Sequence, residues 1–454
     1  MHTTGTMKVT CAYNYRLNPT DKQRAALSRY AGCCRFVYNK ALALQNERKE
    51  SKQFTLHYND MAKLLVGWKK EPDMAFLKEA PSQALQQTLM DQHTAIEDAF
   101  RKGSDPARKG WPKFKAKDCG DGFRIPQIKP EHIDEGNSCV RLPKIGWVKY
   151  FNSRPMAFKD KNDRAIRGKV KQVSITKDAD KWYASFTIEF DVELSEIKDS
   201  DVGIDIGVVH AIATSDGKFF DLDVAKIKRL EAEIAKWQRK LELNKASRKK
   251  LAELGKAKEF DKKEPSRKRR RILERIRKLN YKIRCIRQDF YKKTAHALAQ
   301  EYGCVYAEDL KVGNMTKSAK GTIEEPGKNV KQKSGLNRAI LRTGFSGLIQ
   351  AIGWAMTKTG GIVVKVDPKY TSRQCPKCGC EDKKNRPRQA VFKCCRCGHS
   401  DNADTNGAVN VRIRGRAGPI AHDKKAKSSC CERTTQGRSR LGVVGQQREP
   451  TLVI

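Results

Sequence analysis

The chain has 454 residues, and its 93 lysines and arginines outweigh 52 aspartates and glutamates to leave a formal net charge of +41. Its apolar share, 38%, is lean but enough for several cores, and the length asks for about three domains. These values exclude a wholly disordered chain, argue against a small-molecule enzyme of acidic character, and call for a polyanionic partner, because so large an excess of one sign repels itself.

No run of eighteen uncharged apolar residues occurs, so no membrane span is expected, and Met1–Lys8 lacks the apolar centre of a signal peptide. Lys8–Leu17 alternates as a strand does and is closed by Asn18-Pro19-Thr20. Thr20 followed by Gln23 has capping-box spacing and opens a stretch with helical spacing that continues to about Lys102. Within it, Gly32–Asn39 sets aromatics beside basic residues, so that Arg35, Tyr38 and Asn39 are candidate nucleic-acid contacts as well as members of a plain helical bundle.

Between about Asp105 and Asp199 the texture changes to short basic-aromatic segments, Trp111–Lys115 and Leu142–Lys149. Val173–Thr176 and Trp182–Phe190 alternate around a Lys177–Asp180 turn and predict a hairpin. A β-barrel or curled sheet is expected, of a kind that pairs cations with phosphates and aromatic faces with bases. Lys113 and Lys115 are the candidate contacts here, although the aromatics are equally suited to a core.

Val202–Gly207 predicts an apolar strand with an acid, Asp205, in its interior, followed by Ala211–Thr214 and an Asp216-Gly217 turn. Ile227, Leu230, Ile234, Trp237 and Leu241 form one apolar seam, and Ile272, Ile276, Leu279, Ile283, Ile286 and Phe290 another, which predicts an antiparallel helical hairpin. The run Arg267-Lys268-Arg269-Arg270-Arg271 at the break suits phosphate contact better than idle solvated charge. Gly303–Leu310 predicts a second strand ending in acids, Asn314–Gly335 a mobile loop, Leu336–Lys358 a helix, and Gly361–Val366 a third strand. Beyond about Gly415 periodicity is lost and a disordered tail is expected.

Of fifteen cysteines, an odd number, six fall within about 25 residues and the rest show no disulfide framework, which fits a reducing cytosol and one metal site. Cys375-x-x-Cys378 and Cys394-x-x-Cys397 have the spacing of a four-cysteine zinc knuckle, with Gly379 and Gly398 suited to the sharp turns that follow. Four thiolates leave no open position, so the zinc is expected to be structural. Cys380 and Cys395 are spare thiols that allow alternative ligation, and the surrounding lysines and arginines suit nucleic acid.

Three acids remain. Asp205 in an apolar strand would be costly unless paired or metal-bound, Glu308 ends another strand, and Asp404 opens a helix after the knuckle. Each has an ordinary explanation: a buried ion pair, strand-end solvation and an N-cap. Together, in a chain this basic, they suit two Mg²⁺ ions about 4 Å apart, arranged for in-line phosphodiester hydrolysis.

In order along the chain, Cys33–Asn39, Leu142–Gly146, Gly203–Gly207, Glu308-Asp309-Leu310, Thr371–Gly379, Phe392-x-Cys394-x-x-Cys397-Gly398 and Ala403-Asp404-x-Asn406 resemble the TnpB family, transposon-encoded proteins similar to compact type V CRISPR effectors. The resemblance runs from about Lys8 to Arg414. It implies a multidomain α/β and β protein: a RuvC-like RNase H-fold nuclease domain with a helical hairpin and an inserted zinc ribbon, a β-barrel wedge and a helical recognition domain. On this chain these become the first wedge strand (1–19), the recognition domain (20–104), the rest of the wedge (105–199), the nuclease domain (200–370), the ribbon (371–400), the last nuclease segment (401–415) and a basic tail (416–454).

The implied activity is that of an RNA-guided DNA endonuclease of a transposable element. Asp205, Glu308 and Asp404 would be its catalytic acids and Mg²⁺ ligands, and Cys375, Cys378, Cys394 and Cys397 its zinc ligands. Guide RNA would be a cofactor and target double-stranded DNA a partner, for a monomer in the prokaryotic cytosol or nucleoid. Two departures bear on substrate positioning: many relatives carry Arg where this chain has Ala403, and Ala where it has Gly407. A DNA-joining transposase, a compact CRISPR effector nuclease, a nuclease-inactive RNA-guided regulator and a junction-resolving nuclease are the alternatives. The inactive form predicts a lost acid, and all three are present; the joining enzyme calls for an end-recognition domain of which the sequence gives no clear signal.

Overall fold

The computed structural model describes residues 6–101, 109–117, 120–159, 164–193, 198–253, 266–322 and 324–418, so the expected tail lies outside the described residues from position 419 onward. The chain divides into two compact units, residues 1–193 and 194–454. Among the described residues no helix is long and apolar enough to cross a membrane.

In the first unit, strand β1 (Thr6–Asn18) leads into helix α1 (Asp21–Glu50). The capping box forms: Gln23 N donates to Thr20 Oγ1 at 3.3 Å and Thr20 N to Gln23 Oε1 at 3.0 Å. Helices α2 (Tyr58–Trp68) and α3 (Ser82–Phe100) follow, with a short 3₁₀ turn between them. The remaining strands are β2 (Gly122–Ile125), β3 (Ile133–Asp134), β4 (Cys139–Leu142), β5 (Gly146–Tyr150), β6 (Ala157–Lys159), β7 (Ala165–Arg167), β8 (Lys169–Asp178) and β9 (Lys181–Glu193). Seven of these build one sheet in the order β2-β8-β9-β1-β5-β4-β3. The β8–β9 hairpin pairs as far as Asp178 with Lys181, so its turn is tighter than expected and comprises Ala179 and Asp180 alone, with Ala179 at φ +55°. β1 spans the sheet, pairing with β9 from Thr6 to Arg16 and with β5 at Leu17 and Asn18. Its inward residues Val9, Cys11, Tyr13, Tyr15 and Leu17 are all buried, and they join Leu27, Val37, Leu85 and Phe186 in one core.

The second unit holds a five-stranded sheet in the order β12-β11-β10-β13-β14, built from β10 (Asp201–Asp205), β11 (Ile212–Thr214), β12 (Phe219–Phe220), β13 (Cys304–Glu308) and β14 (Ile362–Val366). β11 pairs antiparallel with both β12 and β10, and β10, β13 and β14 run parallel. Between β12 and β13 lie α4 (Val224–Glu253) and α5 (Arg267–Glu301), which pack as the expected hairpin through Ile227, Ile234, Leu279 and Ile283. Ser266 caps α5 by accepting from Arg269 N, so the basic run forms its first turn.

The expected mobile loop is shorter and more ordered than its composition suggests: α6 (Val312–Met315) sits at its start and α7 (Val330–Thr343) begins inside it. The single helix expected over Leu336–Lys358 is two, α7 and α8 (Phe345–Lys358), broken where Gly344 takes φ +69°. The Tyr291 hydroxyl donates to the Thr343 carbonyl at 2.6 Å beside that break. Strands β15 (Val391–Lys393) and β16 (Ser400–Asn402) form a ribbon, and α9 (Ala403–Ala417) follows. The helix outlasts the periodicity that ended at Gly415 because Arg416 pairs with Asp201 at 2.6 Å.

Candidate active site and cysteine ribbon

Strand alternation sorts the central residues of the second unit onto two faces. Val202, Ile204, Val305 and Ala307 point into the core made with Tyr291, Leu298, Leu348 and Ile352 of α5 and α8. Gly203, Asp205, Tyr306 and Glu308 therefore point to the opposite face, where α9 lies. β10 and β13 are parallel, with Ile204 opposite Ala307, so the next step along both strands brings Asp205 beside Glu308. Asp205 is the last residue of its strand rather than an interior one, a correction that puts its carboxylate at the C-terminal end of the central strand.

α9 reaches this face because small residues line its contact. An added Cβ at Gly203 would lie 2.1 Å from the Ala408 carbonyl oxygen and 2.6 Å from Arg412 N, and one at Gly415 would strike the Tyr306 ring at 1.9 Å. At Gly407 it would stand 3.0 Å from Asp205 Oδ2, so the glycine leaves room over that carboxylate. Arg412 and Arg416 clamp the far end of the helix on Asp201, whose carboxyl they hold below its ordinary range. The N-cap of α9 is Asn402 and not Asp404: Asn402 Oδ1 accepts from Asp404 N at 2.9 Å and Thr405 N at 3.3 Å. Relieved of capping, the Asp404 carboxylate turns to another partner, Arg386, whose guanidinium donates to Oδ1 at 3.3 Å.

The electrostatics bind the three acids into one neighbourhood. Burial raises the Asp205 carboxyl most, the negative charges of Glu308 and Asp404 raise it further, and Arg386 pulls back, leaving it pushed up to about 7. Burial also raises Glu308, against a hydrogen bond from the Thr371 hydroxyl and the charge of Arg414. Glu308 and Asp404 disfavour the ionisation of Asp205, and there is space above it, so these oxygens offer hard ligands of the kind a divalent cation takes, whose charge would remove that penalty. Arg386 and Thr371 were not singled out as site residues in the sequence. Thr371 opens the Thr371–Gly379 motif, but the contacts that matter cross 18 and 63 positions of chain.

The sulfurs of Cys375, Cys378, Cys394 and Cys397 all lie within 4.8 Å of one another. The pairs Cys375–Cys397 and Cys378–Cys394 stand at 3.5 and 3.6 Å, close to the roughly 3.8 Å set by a tetrahedral ion with Zn–S bonds of about 2.3 Å. The two knuckles share one construction. Gly379 N donates to the Cys375 carbonyl and Cys375 N to the Cys380 carbonyl, both at 2.9 Å. Gly398 N and Cys394 N do the same at 3.1 and 2.8 Å, and both glycines are at positive φ. Backbone N–H groups of Cys397 and Arg396 aimed at the Cys394 sulfur hold its thiol down at about 6, so the thiolate needed by a metal is favoured. Cys380 and Cys395 stand 4.0 Å apart beside this tetrad and outside it.

The candidate nucleic-acid residues are placed differently. Arg35 pairs with Asp121; Tyr38 is buried beneath the Lys115 ammonium, 3.9 Å from its ring centroid; and Asn39 exchanges two hydrogen bonds with the Lys115 backbone at 2.8 and 2.9 Å. These residues join α1 to the 111–121 segment. Lys113 is exposed, as are Arg267, Lys268, Arg270 and Arg271, while Arg269 is half-buried.

Three family models match the chain: a "Helix-turn-helix domain" over residues 7–53, "Probable transposase" over 185–319, and "Cas12f1-like, TNB domain" over 345–411. The first span is here one strand and one unbroken helix. The chain is similar to "Putative RNA-guided DNA endonuclease InsQ" of Escherichia coli (strain K12), 38% identical over 413 residues that cover 90% of this chain and 94% of that one. It is 26% identical over 418 residues, 91% of each chain, to a Streptomyces pristinaespiralis protein named in the same terms. A solved Cas12f1-sgRNA-target DNA complex aligns over 89% of this chain and 98% of its own protein chain, with a TM-score of 0.46 and 13% identity. Identity of this extent with InsQ, together with the transposase model over the strands and helices that carry Asp205 and Glu308, shows that the chain belongs to the TnpB family.

Proposed function

We propose that this protein is an RNA-guided DNA endonuclease of a transposable element, cleaving target DNA paired to a bound guide RNA by metal-dependent phosphodiester hydrolysis. The observation that carries the reading is that Asp205 stands beside Glu308 at two parallel strand ends, with Asp404 near enough that each of the latter two acids raises the first. Its companion is similarity along nine-tenths of the chain to a relative named for the same activity.

Asp205, Glu308 and Asp404 would hold Mg²⁺, and Cys375, Cys378, Cys394 and Cys397 one structural Zn²⁺. Bound Mg²⁺ would supply an activated water and neutralise charge on the attacking and leaving oxygens. The chain's own part is to hold the carboxylates in place from two parallel strand ends and one helix. Arg386 balances one negative charge beside Asp404 and offers further N–H donors to a phosphate. The sheet order, three antiparallel strands continued by two parallel ones, supports a RuvC-like RNase H-type nuclease domain. The seven-stranded sheet with α1–α3 would be the wedge and recognition parts, in which sequence is read by base pairing and the protein supplies positive channels. The basic first turn of α5 is unfavourable at the positive end of a helix dipole, and nucleic-acid phosphate there would relieve it. A site of action in the prokaryotic cytosol or nucleoid follows from such a substrate.

The test is to sequence the RNA that co-purifies with the protein and then to offer duplex DNA matching either of its ends. A discrete transcript and Mg²⁺-dependent cutting of the matched duplex are expected. Joining of transposon ends without RNA, or cutting that ignores the RNA sequence, would overturn the reading.

A further inference from the structure

Between β14 and the first cysteine, residues 367–374 form a strap tied to α9 at several points. Asn410 Nδ2 donates to the carbonyls of Thr371 and Gln374 at 2.8 and 2.7 Å, and Asn406 Nδ2 to the latter at 3.2 Å. Arg414 donates to Gln374 Oε1 at 2.7 Å and to the Asp367 carbonyl at 3.1 Å. Asn406, Asn410 and Arg414 are spaced by four and thus lie along one stripe of the helix that carries Asp404. The other end of the strap is Cys375, a ligand in the sulfur tetrad. From the middle of it, Thr371, only 3% exposed, sets its hydroxyl on Glu308 Oε1, with the Pro368 carbonyl at 3.0 Å as second acceptor.

A glutamate has three side-chain torsions, and a strand-end carboxylate is otherwise free to swing. A buried hydroxyl fixed through its own backbone removes that freedom for one oxygen and aims the other. We propose that Thr371 is the positioning residue for Glu308, so that the root of the cysteine ribbon sets the geometry in which the second acid meets a divalent cation. This inference rests on the metal-dependent reading above. Partners that orient metal ligands from outside the coordination shell change metal affinity by about 10- to 100-fold.

The experiment compares full-length wild type, Thr371→Val, Thr371→Ser and Asp205→Asn, each with its bound RNA, by Mn²⁺ titration followed by electron paramagnetic resonance, alongside zinc content and melting temperature. Thr371→Val is expected to weaken Mn²⁺ binding by about 10-fold or more with zinc unchanged, and Thr371→Ser to restore it to within about threefold. Where Thr371→Val loses zinc or fold, Thr371→Ala decides on the same readout. Mn²⁺ binding that is lost in Asp205→Asn but kept in the hydroxyl-free variant overturns this inference alone. No Mn²⁺ binding by the wild type overturns it together with the reading beneath it.

Discussion

Asp205 is where the site opposes the fold, and Asp205→Asn measures by how much. The carboxyl moves from its ordinary 3.8 up to about 7. Below about pH 4 it is neutral in both the folded and unfolded chain and contributes nothing to pH dependence. Between about pH 4 and 7 the unfolded chain releases the proton while the folded chain keeps it, so stability falls as pH rises through that window. A shift of roughly 3 units at 1.36 kcal/mol each corresponds to about 4 kcal/mol. The amide keeps the shape without the charge. In zinc-loaded protein freed of other divalent ions, the variant should melt with the wild type near pH 4 and on the order of 10 °C above it at pH 8. Added Mg²⁺ should then raise the wild type and leave the variant unmoved. Thermal melts followed by circular dichroism at the two pH values are sufficient. A constant difference across the range, or a wild type more stable at pH 8 without divalent ions, would refute the claim that burial and two neighbouring carboxylates load this position.

Alanine at Asp205, Glu308 or Asp404 should abolish cleavage and spare RNA binding, as read by a plasmid-cutting assay beside an RNA gel shift; full cleavage by all three variants would remove the assignment. Arg386→Ala deletes the cation beside Asp404, so cleavage should fall by about 100-fold while zinc content holds; wild-type rates at saturating Mg²⁺ would speak against any part for it. Cys378→Ser or Cys394→Ser should lower zinc below one ion per chain and lower the melting temperature, and metal analysis returning one full equivalent in both would show a different ligand set. Gly203→Ala sets a methyl against the backbone of α9 at Ala408 and Arg412, which cannot rotate away, so a loss of about 3 kcal/mol with loss of cutting is expected; native melting would mean that the helix does not pack so closely.

The cysteine ribbon was legible because its thiols come in two local C-x-x-C turns, each closed by hydrogen bonds within five residues and a glycine at positive φ. The strands and the helical hairpin were legible for the same reason, a short period repeated along the chain. Composition does not show partners within the fold. Polar Asn314–Gly335 contains the beginning of α7, and the candidate nucleic-acid contacts Arg35, Tyr38 and Asn39 also engage Asp121 and Lys115 of their own unit.

By itself the sequence determined which acids and thiols are present, the strand and helix character of the segments that carry them, and a charge that calls for a polyanionic partner. Tertiary structure alone decided that Asp205 and Glu308 stand side by side, that Arg386 rather than the helix terminus engages Asp404, and that a threonine at the root of the ribbon holds Glu308. The reason is physical: backbone preference and turn chemistry act over a few residues. Which carboxylates share a face depends on parallel register across about a hundred residues and on a helix that can descend only where Gly203 leaves the sheet bare.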